Sequence, residues 1–435
     1  MATYLVCSSP IHGHVVPMLT AARHLVERGH RVIVLTGGRF AGRVTEAGAE
    51  FRPLSGNADF DDRDVPSYLP DRDRYRGLAQ AQYDIQNIFV KPIPAQYRAV
   101  QQILDTERPD AVLVDGAFAG VAPLLLVDRP RPPVIALGVT PLAQASRDVA
   151  PTGMALAPST TAPGRLRNRM LHLLARRVLF RRTQKIAEGI FAELGVTHLD
   201  LFVMDLSSAP DRFLQLCAAD FEYPRSDLAP NTAFVGPMPQ GDASGGGLSP
   251  MLPDWWGDLD EEKPIVHVTQ GTIDNRDLDR LIRPTLSALA DLDVIVVVSL
   301  GGRPLSALRD VPANARVASY LPYERLLPRT SVMVTNGGYG GVQSALSHGV
   351  PLVVAGGTED KPEVAARVAW SGAGVDLRTG TPDPDAVHTA VQRVLAQPGY
   401  RAAARRMADS AAGYDTLALI EAELDTAVSA WPRWW

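Results

Sequence analysis

Two periods alternate along this chain: short continuous apolar runs, and longer stretches with apolar residues at helical spacing. Tyr4 to Ser8 reads as a strand. Met18 to Arg28 reads as a helix, with Met18, Leu19, Ala22, Leu25 and Val26 forming its apolar side. Gly29 ends that helix, and Arg31 to Thr36 is the next strand. The segment between first strand and first helix, through Ile11 to Pro17, is a loop rich in His, Gly and Pro. A short helix over Phe40 to Ala47 follows, and Ala79 to Asp105 is helical with breaks near Pro92 and Pro94. Further strand patterns fall at Ala111 to Val114, Pro133 to Leu137 and Phe213 to Cys217, the last of the first half. Two regions carry no apolar period and read as loops: Gly56 to Arg76, dense in charge, and Gly138 to Arg165. Arg165 to Leu194 is a long basic amphipathic helical region whose arginines read most simply as a solvated face, with membrane contact as the alternative.

The alternation then repeats. Strands are expected at Pro264 to Val268, Val294 to Ser299, Val317 to Tyr320 and Ser331 to Thr335, with a helix over Asp277 to Leu292. Helices close the chain at Pro384 to Ala396, Arg401 to Gly413 and Thr416 to Ala430. Continuous apolar strands separated by helices indicate parallel sheets covered on both faces. The chain therefore reads as α/β, with two Rossmann-like parallel-sheet domains facing across a cleft. The expected division is a first domain over 1–225, a linker over 226–262 that includes the Gly241 to Gly247 run GDASGGG, a second domain over 263–412, and a last helix over 413–435 returning to the first domain.

One stretch concentrates the chemistry. Val334 to Lys361 reads as strand, glycine-rich turn, helix over Val342 to His348, and strand over Leu352 to Ala355. Gly337, Gly338, Gly340 and Gly341 let backbone N–H groups approach a ligand, and a helix start offers unpaired donors and partial positive charge. That combination suits a phosphate. Glu359, Asp360 and Lys361 then sit past a strand's carboxyl end, where ligands of open α/β sheets bind.

Composition narrows the classes. A net charge of −5 argues against a nucleic-acid surface as the main business. Only two cysteines, Cys7 and Cys217, occur, without a CxxC pair, so neither a disulfide framework nor a cysteine zinc site is expected. His12 and His14 have no third ligand at a suggestive spacing, so no metal site is expected there. No signal peptide or membrane span is read, and the expectation is a cytoplasmic protein without stable membrane insertion, monomer or homodimer.

Four anchors in order, PIHGHVVPML, VLVDG at Val112 to Gly116, VTQGT at Val268 to Thr272, and YLPYERLL followed by TNGGYGGVQSAL and GGTEDK, resemble the GT-B-fold, UDP-glycosyltransferase-like enzymes that glycosylate small natural products. The resemblance runs over essentially the whole length. It implies an inverting glycosyltransferase needing no cofactor or metal, with a UDP- or dTDP-sugar donor and a small hydrophobic hydroxyl acceptor of polyketide or macrolide type. It assigns His14 as the base and Asp115 as the carboxylate that orients it, leaving His12 a packing or acceptor-lining role. Independently, both groups follow predicted strands and so share one sheet edge. Donor contacts would come from Gly13, from Gly271 and Thr272 on phosphate, from Tyr320 and Leu321 at the base, and from Asn336, Gly338, Tyr339, Gly340 and Gly341 around the diphosphate. Asp360 and Lys361 would reach the sugar hydroxyls. The chain departs from the family pattern at Tyr320 (usually Trp), Asn336 (usually His), Ser344 (often Glu) and Lys361 (usually Gln). The acceptor would lie against Gly56 to Arg76, Ala79 to Gln96 and Gly138 to Ala162. Other readings stay open: a non-catalytic partner of a transferase, a GT-B enzyme working on lipid or cell-wall precursors, and a nucleotide-sugar epimerase.

Overall fold

The computed structural model describes residues 1–239, 252–260, 262–272, 275–432 and 434. It holds two wholly parallel sheets. The first contains β1 (Thr3–Cys7), β2 (Arg31–Thr36), β3 (Glu50–Pro53), β4 (Ala111–Asp115), β5 (Val134–Gly138), β6 (Arg212–Gln215) and β7 (Thr232–Phe234), in the order β3-β2-β1-β4-β5-β6-β7. The second contains β8 (Ile265–Thr269), β9 (Ile295–Ser299), β10 (Ala315–Ala318), β11 (Val332–Thr335), β12 (Leu352–Val354) and β13 (Gly374–Asp376), in the order β10-β9-β8-β11-β12-β13. The central strands are buried along their length, save Thr3 at the start of β1, as helix-covered parallel strands must be. In each sheet the strand order reverses beside the first strand, and that switch point places β1 with β4, and β8 with β11, around a crevice.

Several boundaries differ from the sequence reading. The first helix, α1 (His12–Glu27), starts at His12, not Met18, and carries Pro17 inside it. Proline there removes only one donor, early in the helix, and the buried side with Val15, Met18, Ala22 and Leu25 outweighs that loss. The first half does not end at residue 225. β7 pairs with β6 through Phe213↔Thr232 and Gln215↔Phe234, three residues being too short a run to show in the pattern. Asp254–Asp260 is likewise a helical turn rather than linker. Its Trp255 Nε1 donates to the Val317 carbonyl, and both Trp255 and Trp256 pack on the second core. The GDASGGG run lies outside the described residues.

The Gly56 to Arg76 region is better tied than a solvated loop. Ala58, Phe60, Asp62 and Leu69 are buried, and the Asp62 carboxylate accepts from the His12 N–H at 2.7 Å while pairing with Arg39. Of the helices over 77–107, Gly77–Ile85 runs into a π-helical turn at Gln86–Val90 before α2 (Ile93–Glu107). The basic region comprises α3 (Ala162–Leu174), a second π-helical turn at Ala175–Leu179 and a helix over Arg181–Glu193. In the second domain α4 (Tyr339–Ser347) begins three residues earlier than the pattern gave, and α5 (Lys361–Trp370) follows β12. The last helix, α6 (Thr416–Ala430), inserts Ile420 and Leu424 into the core of the first sheet.

The two domains meet along a buried seam. Arg367 of α5 donates through Nε to Glu222 at 2.7 Å and through Nη1 to Glu363 at 2.8 Å. Glu222 also accepts from the N–H groups of Leu142 and Tyr223 at 2.9 Å each, and the Tyr223 ring lies 4.2 Å from the Arg367 guanidinium. Glu363 in turn accepts from Gly153 and Ala155 N–H at 2.8 Å, holding the loop before α3 against the second domain.

Candidate active site

β1 and β4 are neighbours, so the residues following them emerge side by side. His14, in the first turn of α1, directs Nδ1 at Asp115 Oδ1, 3.0 Å away. Asp115 is 1% exposed and fully engaged: its Oδ2 accepts from Ser9 N–H at 2.6 Å and from the Ser8 hydroxyl at 3.1 Å, and its Oδ1 from Ala117 N–H at 2.8 Å. Burial opposes ionisation of this carboxyl, but the His14 ring and these donors hold it below the usual carboxylate range. For His14, burial works against the imidazolium, and the Asp115 carboxylate overrides it, raising the imidazole above its ordinary value. A histidine ring with Nδ1 fixed on a carboxylate presents Nε2 as the acceptor of a proton. The Phe89 ring, set on the first π-helical turn, lies 6.3 Å from the His14 ring.

His12 is placed differently. Burial, Arg43 and Arg39 lower it to about 4, and Arg43 Nη1 stands 3.5 Å from its Nδ1, so the ring stays neutral and, among the described residues, pairs with no carboxylate. Among the described residues no group of three or more His, Cys, Asp or Glu could hold a metal ion, and both cysteines are buried and free.

Facing this pair across the cleft is the second domain's sheet edge. Asn336 follows β11 and donates from Nδ2 to the Gln270 carbonyl at 2.6 Å, tying the turn after β11 to the turn after β8. Gly271 (φ +71°) and the partly exposed Thr272 lie in that second turn. Gly337 has φ +87°, and a Cβ there would meet Val354 Cγ1 at 2.8 Å, so only glycine fits. Gly338 caps α4, and Gly340 and Gly341 lie in its first turn rather than in the loop before it. Their N–H groups are those that a helix leaves unpaired, and nothing stands within 4 Å of a Cβ built on Gly340. Asp360 caps α5; burial in the cleft and the adjacent Glu359 carboxylate push it up to about 6. Glu359 and Asp360 are close enough to His14 to raise it electrostatically, which puts these two carboxylates opposite the histidine.

Four of the residues singled out in the sequence also bond or pack within the protein. The Tyr339 ring turns into the seam, where its hydroxyl accepts from Gln215 Nε2 at 2.8 Å, leaving only its backbone for a ligand. Leu321 is a core residue with Leu326 and Val297. Ser344 donates its hydroxyl to the Gly340 carbonyl at 2.9 Å. Lys361 is 5% exposed and ion-pairs with Glu359 at 2.5 Å. Tyr320, by contrast, is 39% exposed, with its ring over Gly302, where a Cβ would approach Cε2 to 3.1 Å. Sequence reasoning missed Arg39 and Arg43, whose charges reach the Tyr320 hydroxyl from the opposite domain; their four-residue spacing directly after β2 was the available signal. Phe89 falls inside the Ala79 to Gln96 stretch expected to line the acceptor, but no sequence feature announces the π-helical turn that sets it beside His14.

Residues 12–135 match the model of the glycosyltransferase family 28 N-terminal domain, and residues 283–422 that of the erythromycin biosynthesis protein CIII-like C-terminal domain. A 4'-demethylrebeccamycin synthase from Lentzea aerocolonigenes is 38% identical over 422 residues, covering 96% of this chain and 97% of that protein. The UDP-glucosyltransferase B1 of Starmerella bombicola is 38% identical over 435 residues, 97% of this chain and 98% of its own. Among solved structures, a spinosyn rhamnosyltransferase complexed with thymidine diphosphate superposes with a TM-score of 0.69 at 19% identity, covering 97% of this chain and 100% of that one, a likeness of fold.

Proposed function

The chain belongs to the GT-B-fold, UDP-glycosyltransferase-like family of glycosyltransferases, and from that premise we propose that it transfers a sugar with inversion to a hydroxyl group of a small hydrophobic natural product. The observation that carries this reading is the His14–Asp115 pair facing Asp360 and the Asn336–Gly341 turn across one cleft.

In the proposed step, Nε2 of His14 takes the proton from the acceptor hydroxyl as that oxygen bonds to the anomeric carbon. The bond from that carbon to the donor's phosphate oxygen breaks, and the nucleoside diphosphate leaves with the electron pair. Asp115 holds the ring's tautomer and stabilises the imidazolium that forms. The amides of Gly338, Tyr339, Gly340 and Gly341, at the positive end of α4, take the diphosphate charge; Gly271 and Thr272 add to that pocket. This donor set neutralises the leaving group through N–H groups, so the proposed chemistry calls for no metal ion. Tyr320 offers its exposed ring to the base, Gly13 lies open at the cleft beside His14, and Asp360 with Lys361 contacts the sugar.

The nucleotide is proposed to be UDP or dTDP. Ser344, turned back onto the helix carbonyl, provides no carboxylate to demand a ribose 2′-hydroxyl. The acceptor would rest on Phe89, on the Gly56 to Arg76 segment and on the loop that Glu363 grips.

His14→Ala tests the base. Transfer to an acceptor panel, read by mass spectrometry, should fall by at least about 10²- to 10⁴-fold, while dTDP or UDP binding by calorimetry persists. Near-wild-type turnover would remove His14 from the chemistry. A thermal-shift comparison of UDP, dTDP and GDP should show stabilisation by the first two only.

A further inference from the structure

The basic region over α3 and the π-helical turn after it has its polarity reversed. Its buried side is polar: Asn168 is 0% exposed and donates to the Arg147 carbonyl at 3.1 Å, and His172 Nε2 meets the Val149 carbonyl at 3.0 Å. Its apolar side faces out. Leu166, Met170 and Val178 are 61%, 58% and 63% exposed, with Leu173 and Leu174 completing one continuous helical stripe. Scattered exposed leucines need no explanation, but a one-sided stripe of five does.

The charge around the stripe is one-signed. Between Asp148 and Glu188 the sequence has seven arginines and one lysine and no acidic residue, in a chain whose net charge is −5. Arg169, Arg177, Arg181 and Arg182 are exposed and form no ion pair among the described residues. A second copy of the chain docking symmetrically here would set arginine against arginine. A surface that is apolar beneath and anionic at its boundary fits both properties at once. Among the described residues no helix is long and apolar enough to cross a membrane, so the stripe matches a helix lying in an interface.

We propose that this face docks the protein peripherally on an anionic lipid bilayer, with Leu166, Met170, Leu173, Leu174 and Val178 entering the headgroup boundary and the arginines on lipid phosphates. This goes beyond the transfer reaction and does not depend on it.

Cosedimentation of the full chain with vesicles decides it. Binding is expected to phosphatidylcholine–phosphatidylglycerol vesicles and not to phosphatidylcholine alone, and it should fall as salt is raised. Arg177→Gln with Arg181→Gln should weaken partitioning by roughly 30-fold. Met170→Glu with Val178→Glu should abolish it, with the dTDP- or UDP-induced thermal shift retained as proof of folding. Absence of binding to anionic vesicles overturns the proposal. So does binding that Met170→Glu with Val178→Glu leaves intact and soluble polyglutamate competes away, which marks an acidic protein partner instead. A dimer in sedimentation velocity that the same double variant dissociates, without vesicle binding, assigns the face to a second copy.

Discussion

Asp115 and Glu222 are both buried carboxylates, each receiving two backbone N–H groups, and they do opposite work. Asp115 is 1% exposed and Glu222 2% exposed. Each is held below the usual carboxylate range against the effect of burial. The difference lies in the partner. Asp115 faces a histidine, which can gain or lose a proton near neutral pH, and whose far nitrogen is not engaged by that carboxylate. Glu222 faces Arg367 and Arg225, which stay charged, and the whole group is sealed in the seam between domains. The same environment thus makes a proton-handling pair where the cation titrates and a fixed clamp where it does not. The clamp also serves the pair. α5 carries Asp360 at its cap and Arg367 two turns on, so the seam network sets where the Asp360 carboxylate stands relative to His14.

The sharpest way to break this contrast is to keep shape and remove charge at Asp115. Asp115→Asn should lower kcat/KM by about 10³- to 10⁴-fold, the scale seen when a triad loses its orienting carboxylate. Its pH profile should move as well. A base works when neutral, and Asp115 raises His14, so wild-type kcat/KM should climb with pH through a midpoint above about 6.5. In Asp115→Asn that midpoint should drop. For stability the direction is opposite: what His14 contributes is present below about pH 6.5 and is lost as pH rises through the raised folded value. A midpoint unmoved by Asp115→Asn would mean that another group sets the profile.

Arg367→Met addresses the other carboxylate. It leaves Glu222 buried with Arg225 at 3.4 Å as its remaining cation and Glu363 with only the Gly153 and Ala155 N–H groups among the described residues. Breaking a buried pair from one side costs about 3–5 kcal/mol, measurable as a lowered denaturation midpoint. Binding of nucleotide should change far less, because the turn after β11 is untouched. A stable variant with unchanged midpoint would show that the seam does not fix the domains. The smallest effect is expected at Asn336, which has no charge to lose. Asn336→Ala removes one hydrogen bond to Gln270, about 1 kcal/mol, and should weaken UDP or dTDP binding by roughly fivefold in calorimetry.

Much was legible before any coordinates. The two-period alternation placed most strands, and the helices Pro384–Ala396 and Thr416–Ala430 match the pattern at both ends. The motifs pointed to His14 and Asp115, whose side chains lie 3.0 Å apart. What escaped has physical causes. A three-residue strand such as β7 has no period to detect. Pro17 misplaced the start of α1 because a proline early in a helix removes only one donor. The π-helical turns at Gln86–Val90 and Ala175–Leu179 depend on partners distant in sequence: Gln82 Nε2 reaches the Leu179 carbonyl at 2.6 Å.

The sequence by itself determined the architecture, the sheet edge where ligands gather, and the residue types able to move a proton and cradle a phosphate, because these follow from local periodicity and side-chain chemistry. Only the tertiary structure decided what else those side chains touch. It turned Tyr339 and Leu321 into packing, paired Lys361 with Glu359, and put the apolar side of α3 outside. Whether a side chain meets ligand, core or solvent depends on which elements pack against it, and no one-dimensional pattern carries that information.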